Sequence, residues 1–254
     1  MERAIVLAAG RGERLVNGQP YPKPLKPVNG IPLIARVLHG LERAGVDEAT
    51  IVVGYLGETL KQGLQEFRFG LDLRFVENPE FHKPNGSSLL KAKASVCGPT
   101  FLLMSDHLWS PDLIERVRRY PLADDEAVLG IDFKIDACFD LDDATKVAIR
   151  GDRVERIGKD LPRYDALDTG VFRITPAVIE ALERVDGPQG CSLSQGIGEL
   201  ARAGRMRVVD VEDAAWVDVD TPDALVHAEQ LLRRFGRSLR ARPRPAVASR
   251  MSAE

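Results

Sequence analysis

Only three cysteines occur in the 254 residues, Cys97, Cys138 and Cys191, widely spaced and odd in number. That excludes a disulfide framework and fits a reducing compartment, where each thiol serves as a small buried side chain. No apolar run approaches the roughly 18 residues of a membrane span. The chain begins "MERAIVLAAG", without the basic, then apolar, then small-residue order of an export signal. A cytoplasmic protein is expected. Charge of one sign is lacking too: the net charge of −3 gives the whole chain no attraction for nucleic acid. The sign is unevenly spread, because Arg237 to Glu254 hold five arginines and one acid, leaving net −7 for residues 1–236. That tail has no periodicity and reads as a disordered basic segment, 237–254, after a domain of residues 1–236. Apolar residues at 44% are too many for a disordered chain and ample for a core.

Short β-rich runs alternate with amphipathic helical stretches. "RAIVLA", "ATIVVGY", "LDLRFVEN" and "TFLLMSD" read as strands. Between them "IPLIARVLHGLERAG", "GETLKQGLQEFRFG" and "NGSSLLKAKASV" carry helical spacing. The order predicts an α/β fold with a parallel sheet flanked by helices and ligands near the carboxyl ends of its strands. From about residue 125 the pattern changes to strands joined by tight turns, with a hairpin at Gly151 and Asp152, which predicts an antiparallel addition. "MRVVDV" and "AAWVDVD" read as a strand pair, and "TPDALVHAEQLLRRFG" as a final helix with Thr221 as cap and Pro222 in its first turn.

Gly10 and Gly12 follow the first strand directly. Glycines there let backbone N–H groups approach phosphate oxygens, and Arg11 and Arg14 add positive charge. The third glycine of a dinucleotide fingerprint would fall at Leu15, and no Walker lysine follows. Lys23 and Lys26 each precede a proline, which stiffens the loop presenting them. An ammonium held near a triphosphate offsets charge developing at the α-phosphorus. Taken singly, the G-x-G equally suits an ordinary turn, and a Lys-Pro-rich stretch is more often a solvated loop.

Together, "LAAGRGERL" and "PKPLKPVNGIPLI" resemble the signature of nucleotidyltransferases that make activated sugars and alcohols from an NTP and a phosphate monoester. "VVGYLGE", "ENPEFHKPNGSSLLKA", "LLMSDHLWSPDLIE", "CFDLDDATKV", "DTGVF" and "WVDVDTPDAL" follow in order. These are similar to the CTP:inositol-1-phosphate cytidylyltransferase domain found in bifunctional IPC transferase/DIPP synthases. The likeness covers about residues 3 to 235. It implies a Rossmann-like, mostly parallel mixed sheet of the nucleotide-diphospho-sugar transferase type, with the antiparallel addition covering the acceptor. The substrates implied are CTP and L-myo-inositol 1-phosphate, the products CDP-inositol and pyrophosphate, and the cofactor Mg²⁺.

The resemblance also assigns residues. Leu7, Ala8, Ala9, Gly10 and Gly12 would line the nucleotide, Arg14 and Lys23 contact its phosphates, and Asn85, Gly86 and Ser88 lie beside the base. A helix start is an equal claim on Ser88. Asp106 ends an apolar strand and is expected to hold Mg²⁺ with Asp220, because a hard ion takes one or two carboxylates plus phosphate oxygens. Asp218 and Asp220 would lie on opposite faces of a regular strand, so one should point into the site. Asp220 is favoured and Asp218 stays open. Thr169 and Gly170 would meet the acceptor, although a strand with a glycine bulge explains them equally.

"DACFDLDDATKV" concentrates four aspartates. A calcium loop starting at Asp140 would need glycine and glutamate where Thr145 and Gly151 stand. Under the resemblance this segment belongs to the acceptor half, with Lys146 meeting the acceptor phosphate and Asp143 orienting it or binding a hydroxyl. Another NTP, a hexose phosphate, phosphocholine or a phosphonate is the rival substrate reading. A catalytically silent nucleotide binder is the rival class, yet Arg14, Lys23 and Asp106 are all present. The basic tail departs from the bifunctional pattern, so a downstream CDP-alcohol phosphotransferase is expected on a separate chain. A homodimer is compatible with the sequence.

Overall fold

The computed structural model describes residues 1–16 and 18–234; the tail read as disordered, 237–254, lies outside the described residues. The chain runs β1 (Arg3–Ala8), α1 (Glu13–Val16), β2 (Pro27–Val28), β3 (Ile31–Pro32), α2 (Leu33–Arg43), β4 (Glu48–Val53), α3 (Gly57–Leu64), β5 (Asp72–Glu77), α4 (Asn85–Lys91) and β6 (Thr100–Met104). It continues through β7 (His107–Trp109), α5 (Pro111–Arg119), β8 (Ala127–Asp132), β9 (Lys146–Arg150), β10 (Arg153–Gly158) and β11 (Ala166–Ile174). Last come α6 (Pro176–Val185), α7 (Leu193–Arg202), β12 (Met206–Asp210), β13 (Trp216–Asp218) and α8 (Pro222–Arg234).

Nine strands make one sheet in the order β5-β4-β1-β6-β11-β8-β12-β10-β9. Its first part is parallel: β1 pairs with β4 and β6, and β4 with β5. The central strand β11 then runs antiparallel to both β6 and β8. β9 and β10 form the expected hairpin, turning at Gly151 with φ +64°. β1, β4 and β6 are buried along almost their whole length because helices cover both faces, while the edge strand β5 stays largely exposed. Leu89, Leu182 and Ile197 from α4, α6 and α7 pack one face; Leu38, Leu60 and Leu113 from α2, α3 and α5 pack the other.

The strands β12 and β13 do not pair with each other, contrary to the sequence reading. β12 enters the main sheet parallel to β8, while β13 pairs antiparallel with β7 in a separate two-stranded ribbon. Val217 and Val219 bury against Ala228 and Leu232 of α8, so apolar contact draws that segment away from β12. Thr221 caps α8 as expected, its Oγ1 accepting from the Ala224 N–H at 3.1 Å. No helix among the described residues is long and apolar enough to cross a membrane.

Candidate active site

A cavity of about 740 Å³ lies at the carboxyl ends of β1 and β6, where a wound α/β sheet binds its ligands. Leu7, Ala8, Ala9, Gly10 and Gly12 form one wall, with Asn85 and Ser88 from α4 beside them. Gly10 has nothing within 4 Å of the position a Cβ would take, so its missing side chain leaves open space. Gly12 is constrained differently. It has φ +61°, and a Cβ there would stand 2.7 Å from the Lys23 Cγ. Loop curvature and seating of Lys23 therefore both demand glycine. The Arg11 guanidinium stands 5.4 Å from the Tyr55 ring centre and 5.8 Å from that of Phe81.

Lys23 is 5% exposed and lies among carboxylates. Its ammonium donates to Asp106 Oδ2 at 2.6 Å and to Asp220 Oδ1. Burial alone would lower its pKa, but Asp106, Asp220 and Asp218 raise it, so the lysine is charged. Arg14 donates to Asp143 at 2.9 Å and to Asp220. Lys159 reaches the other oxygen of Asp143 at 2.5 Å. Burial would raise Asp143, yet Lys159 and Arg14 hold it down at about 2. His107 Nδ1 lies 3.1 Å from Asp106 Oδ1. Burial alone would lower His107, but Asp218, Asp106 and Asp168 bring it up to about 9. Burial pushes Asp218 up to about 7; His107 opposes this, and Asp106 and Asp220 add to it.

The donor set fits a hard divalent cation. An ammonium already bridges Asp106 and Asp220, and Asp218 Oδ1 is buried without a hydrogen-bond partner. Asp106, His107 and Asp218 form one group of converging ligand atoms; Asp143, Asp218 and Asp220 form a second, each within 4.8 Å. Both Asp218 and Asp220 line the cavity. The expectation that only one would do so assumed a regular strand, but β13 ends at Asp218, so the alternation lapses before Asp220.

Other expected residues are placed less directly. Gly86 does not line the cavity: a Cβ there would stand 2.6 Å from the Cys191 carbonyl oxygen, so the glycine lets that backbone approach α4. Ser88 is no helix cap; it accepts from Asn78 Nδ2 at 2.9 Å. Thr169 is fully buried, donating to the Gly130 carbonyl at 2.7 Å. Lys146 is 8% exposed, and its ammonium is bound to the Asp142 carbonyl at 3.0 Å, outside the cavity lining. A strand-opening lysine in β9 faces its own preceding loop, which sequence order alone did not reveal. Lys134 and Lys159 line the cavity instead, with Asp168, Trp216 and Phe139. The sequence reading passed over all five, and His107 as well. His107 follows Asp106 in "SDH", and Asp168, Trp216 and Phe139 stand inside stretches quoted for the resemblance, whereas Lys134 and Lys159 had no local signal.

A glycine loop, a lysine–carboxylate cluster at strand ends and a two-walled cavity define a nucleotidyltransferase. Residues 4–135 match the MobA-like NTP transferase domain, and the chain belongs to that family. It is 36% identical over 232 residues to the bifunctional IPC transferase and DIPP synthase of Rubrobacter xylanophilus, covering 90% of this chain and 51% of that protein. The same-named protein of Thermococcus kodakarensis is 35% identical over 234 residues, covering 92% and 51%. The chain thus spans about half the length of these curated relatives. The solved inositol-1-phosphate CTP transferase of T. maritima superposes with a TM-score of 0.78 at 26% identity, covering 91% of this chain and 95% of that one.

Proposed function

We propose that this chain transfers CMP from CTP to L-myo-inositol 1-phosphate, forming CDP-inositol and releasing pyrophosphate. One observation carries the reading. A single cavity has a backbone-rich wall from β1 and a wall of Lys134, Lys159 and Asp168, and the Lys23–Asp106–Asp220 cluster lies in the same cavity. The first wall suits a nucleotide; the second suits a polar anionic acceptor. The kinship with IPC transferases supports the choice of inositol phosphate.

An acceptor phosphate oxygen forms a bond to the α-phosphorus of CTP, and the bridging bond to the β-phosphate breaks. The acceptor is an anion at neutral pH, so the chain supplies no general base. The Gly10–Gly12 backbone receives the triphosphate, and Arg14 and Lys23 neutralise charge that moves onto the departing pyrophosphate. Lys159 meets the acceptor phosphate, the role the sequence reading gave to Lys146. Mg²⁺ held by Asp106 and Asp220, with Asp218 alongside, would screen the two anions against each other. CTP is available in the cytoplasm, which fits the expected setting. The CDP-alcohol formed calls for a phosphotransferase that displaces CMP with another alcohol.

Pyrophosphate release measured with each of the four NTPs against a panel of phosphate monoesters and phosphonates tests the proposal. Turnover is expected with CTP and L-myo-inositol 1-phosphate and requires a divalent cation. Turnover confined to a hexose 1-phosphate with UTP or dTTP overturns it.

A further inference from the structure

We propose that His107 is a positioning residue, whose imidazole fixes the carboxylates of Asp106 and Asp218 and registers them against the acceptor strand β11. The inference rests on the cation-dependent reading above. The β7–β13 register sets His107 opposite Asp218. From there Nδ1 stands 3.1 Å from Asp106 Oδ1 and 3.8 Å from Asp218 Oδ1. One ring nitrogen therefore bonds one carboxylate and faces the other, whose Oδ1 is buried and has no hydrogen-bond partner. Two carboxylates this close repel. A donor between them holds both in a converging arrangement.

The ring itself is fixed by its surroundings. Trp216 stacks on it, with centroids 6.3 Å apart and planes within 8°. The indole is anchored in turn, its Nε1 donating to Asp132 Oδ2 at 2.8 Å. The ring also fits a notch in β11. A Cβ at Gly170 would stand 2.8 Å from Nε2. Gly170 has φ +73° and lies where the β11 register shifts between Asp168 and Phe172. Asp168 holds that bulge by accepting the Gly170 N–H at 2.7 Å. Gly170, which lines the cavity, is thus also the seat of the imidazole. A residue that packs on the acceptor strand also orients the cation-binding carboxylates, so one side chain aligns the two halves of the site. Groups that orient ligating side chains commonly change affinity or activity 10- to 100-fold.

The test compares His107→Asn, which keeps a donor near the Nδ1 position, with His107→Leu, which keeps bulk and removes it. Mn²⁺ binding to the full chain without nucleotide is titrated by electron paramagnetic resonance, beside melting temperature and the kcat and KM of pyrophosphate release. The Leu variant is expected to bind Mn²⁺ about 10- to 100-fold more weakly and to lose kcat more than CTP affinity, with most of both regained in the Asn variant. Equal impairment in the two variants means packing alone and overturns the proposal. So does a Leu variant with unaltered Mn²⁺ affinity, or a wild-type chain that binds no Mn²⁺ at millimolar concentration. If the Leu variant does not fold, Gly170→Ala displaces the ring instead, and unaltered Mn²⁺ affinity there overturns the idea equally. Normal Mn²⁺ behaviour in a chain that turns over none of the tested substrates breaks the catalytic reading alone.

Discussion

The two walls of the cavity are built by different means. The wall we assign to the nucleotide comes from consecutive backbone, Leu7 to Gly12, and its chemistry depends on side chains that are absent. The wall we assign to the acceptor comes from side chains contributed by β8, β11, β13 and the loops between them, Lys134, Lys159, Asp168 and Trp216 among them. Recognition through backbone leaves a compact local signature, because φ > 0 and close approach restrict the residue type at fixed spacing. Recognition through side chains brought together by topology leaves no such trace.

Mutations can break or sharpen this contrast. The largest effect is expected where the walls meet: Asp106→Asn should lower kcat about 10²–10³-fold with the melting temperature retained. An active variant removes Asp106 from the chemistry. On the nucleotide wall, Gly12→Ala forces a side chain into φ +61° and against Lys23. Strain of about 1–3 kcal/mol should raise the KM for CTP, read in the same assay, while leaving the acceptor KM nearly unchanged.

On the acceptor wall, Lys159→Ala loses a charged donor worth about 1.5–3 kcal/mol and should raise the acceptor KM about 10- to 100-fold. Lys146→Ala, by contrast, should lower thermal stability by about 1 kcal/mol and leave that KM almost unmoved. Matching KM increases in both variants would return Lys146 to the pocket. Asp168 gives a smaller effect with a pH signature. Burial raises its carboxyl to about 6, above an unfolded value near 4. Its ionisation therefore opposes folding increasingly as pH rises from about 4 to about 6, and fully above that. Asp168→Asn should raise the melting temperature more at pH 8 than at pH 5. The smallest effect belongs to Arg11→Ala, which removes stacking on Tyr55 and Phe81 worth about 0.5–1 kcal/mol; kcat/KM for CTP should fall only a few-fold.

The same contrast explains what was legible in the sequence. The strand–helix alternation, the glycine loop, Lys23, Asp106 and the Thr221 cap are local patterns; the alternation and the cap stand as read, and Gly10, Gly12, Lys23 and Asp106 all line the cavity. Asp218 and Asp220 both reach the cavity because the strand ends between them, which a period-two argument does not register. Lys146 opens β9, and Lys159 follows directly after the last residue of β10, its hairpin partner. Which of them faces the cavity depends on the pairing of that hairpin with β11, and no short window contains it. Thr169 and Gly170 were singled out for ligand contact; Thr169 instead satisfies a buried carbonyl, while Gly170 lines the cavity and also makes room for the His107 ring.

The strand order carries a consequence for how the chain is made. β6 and β8 are neither sheet neighbours nor far apart in sequence, and the place between them is filled by β11, some forty residues after β8 begins. As the polypeptide leaves the ribosome, both strands emerge with an open hydrogen-bonding edge facing an empty slot. Unpaired edges of that kind invite pairing with other chains. Residues 4–135, which alone carry the family match, therefore end before the strand that closes their sheet has been synthesised.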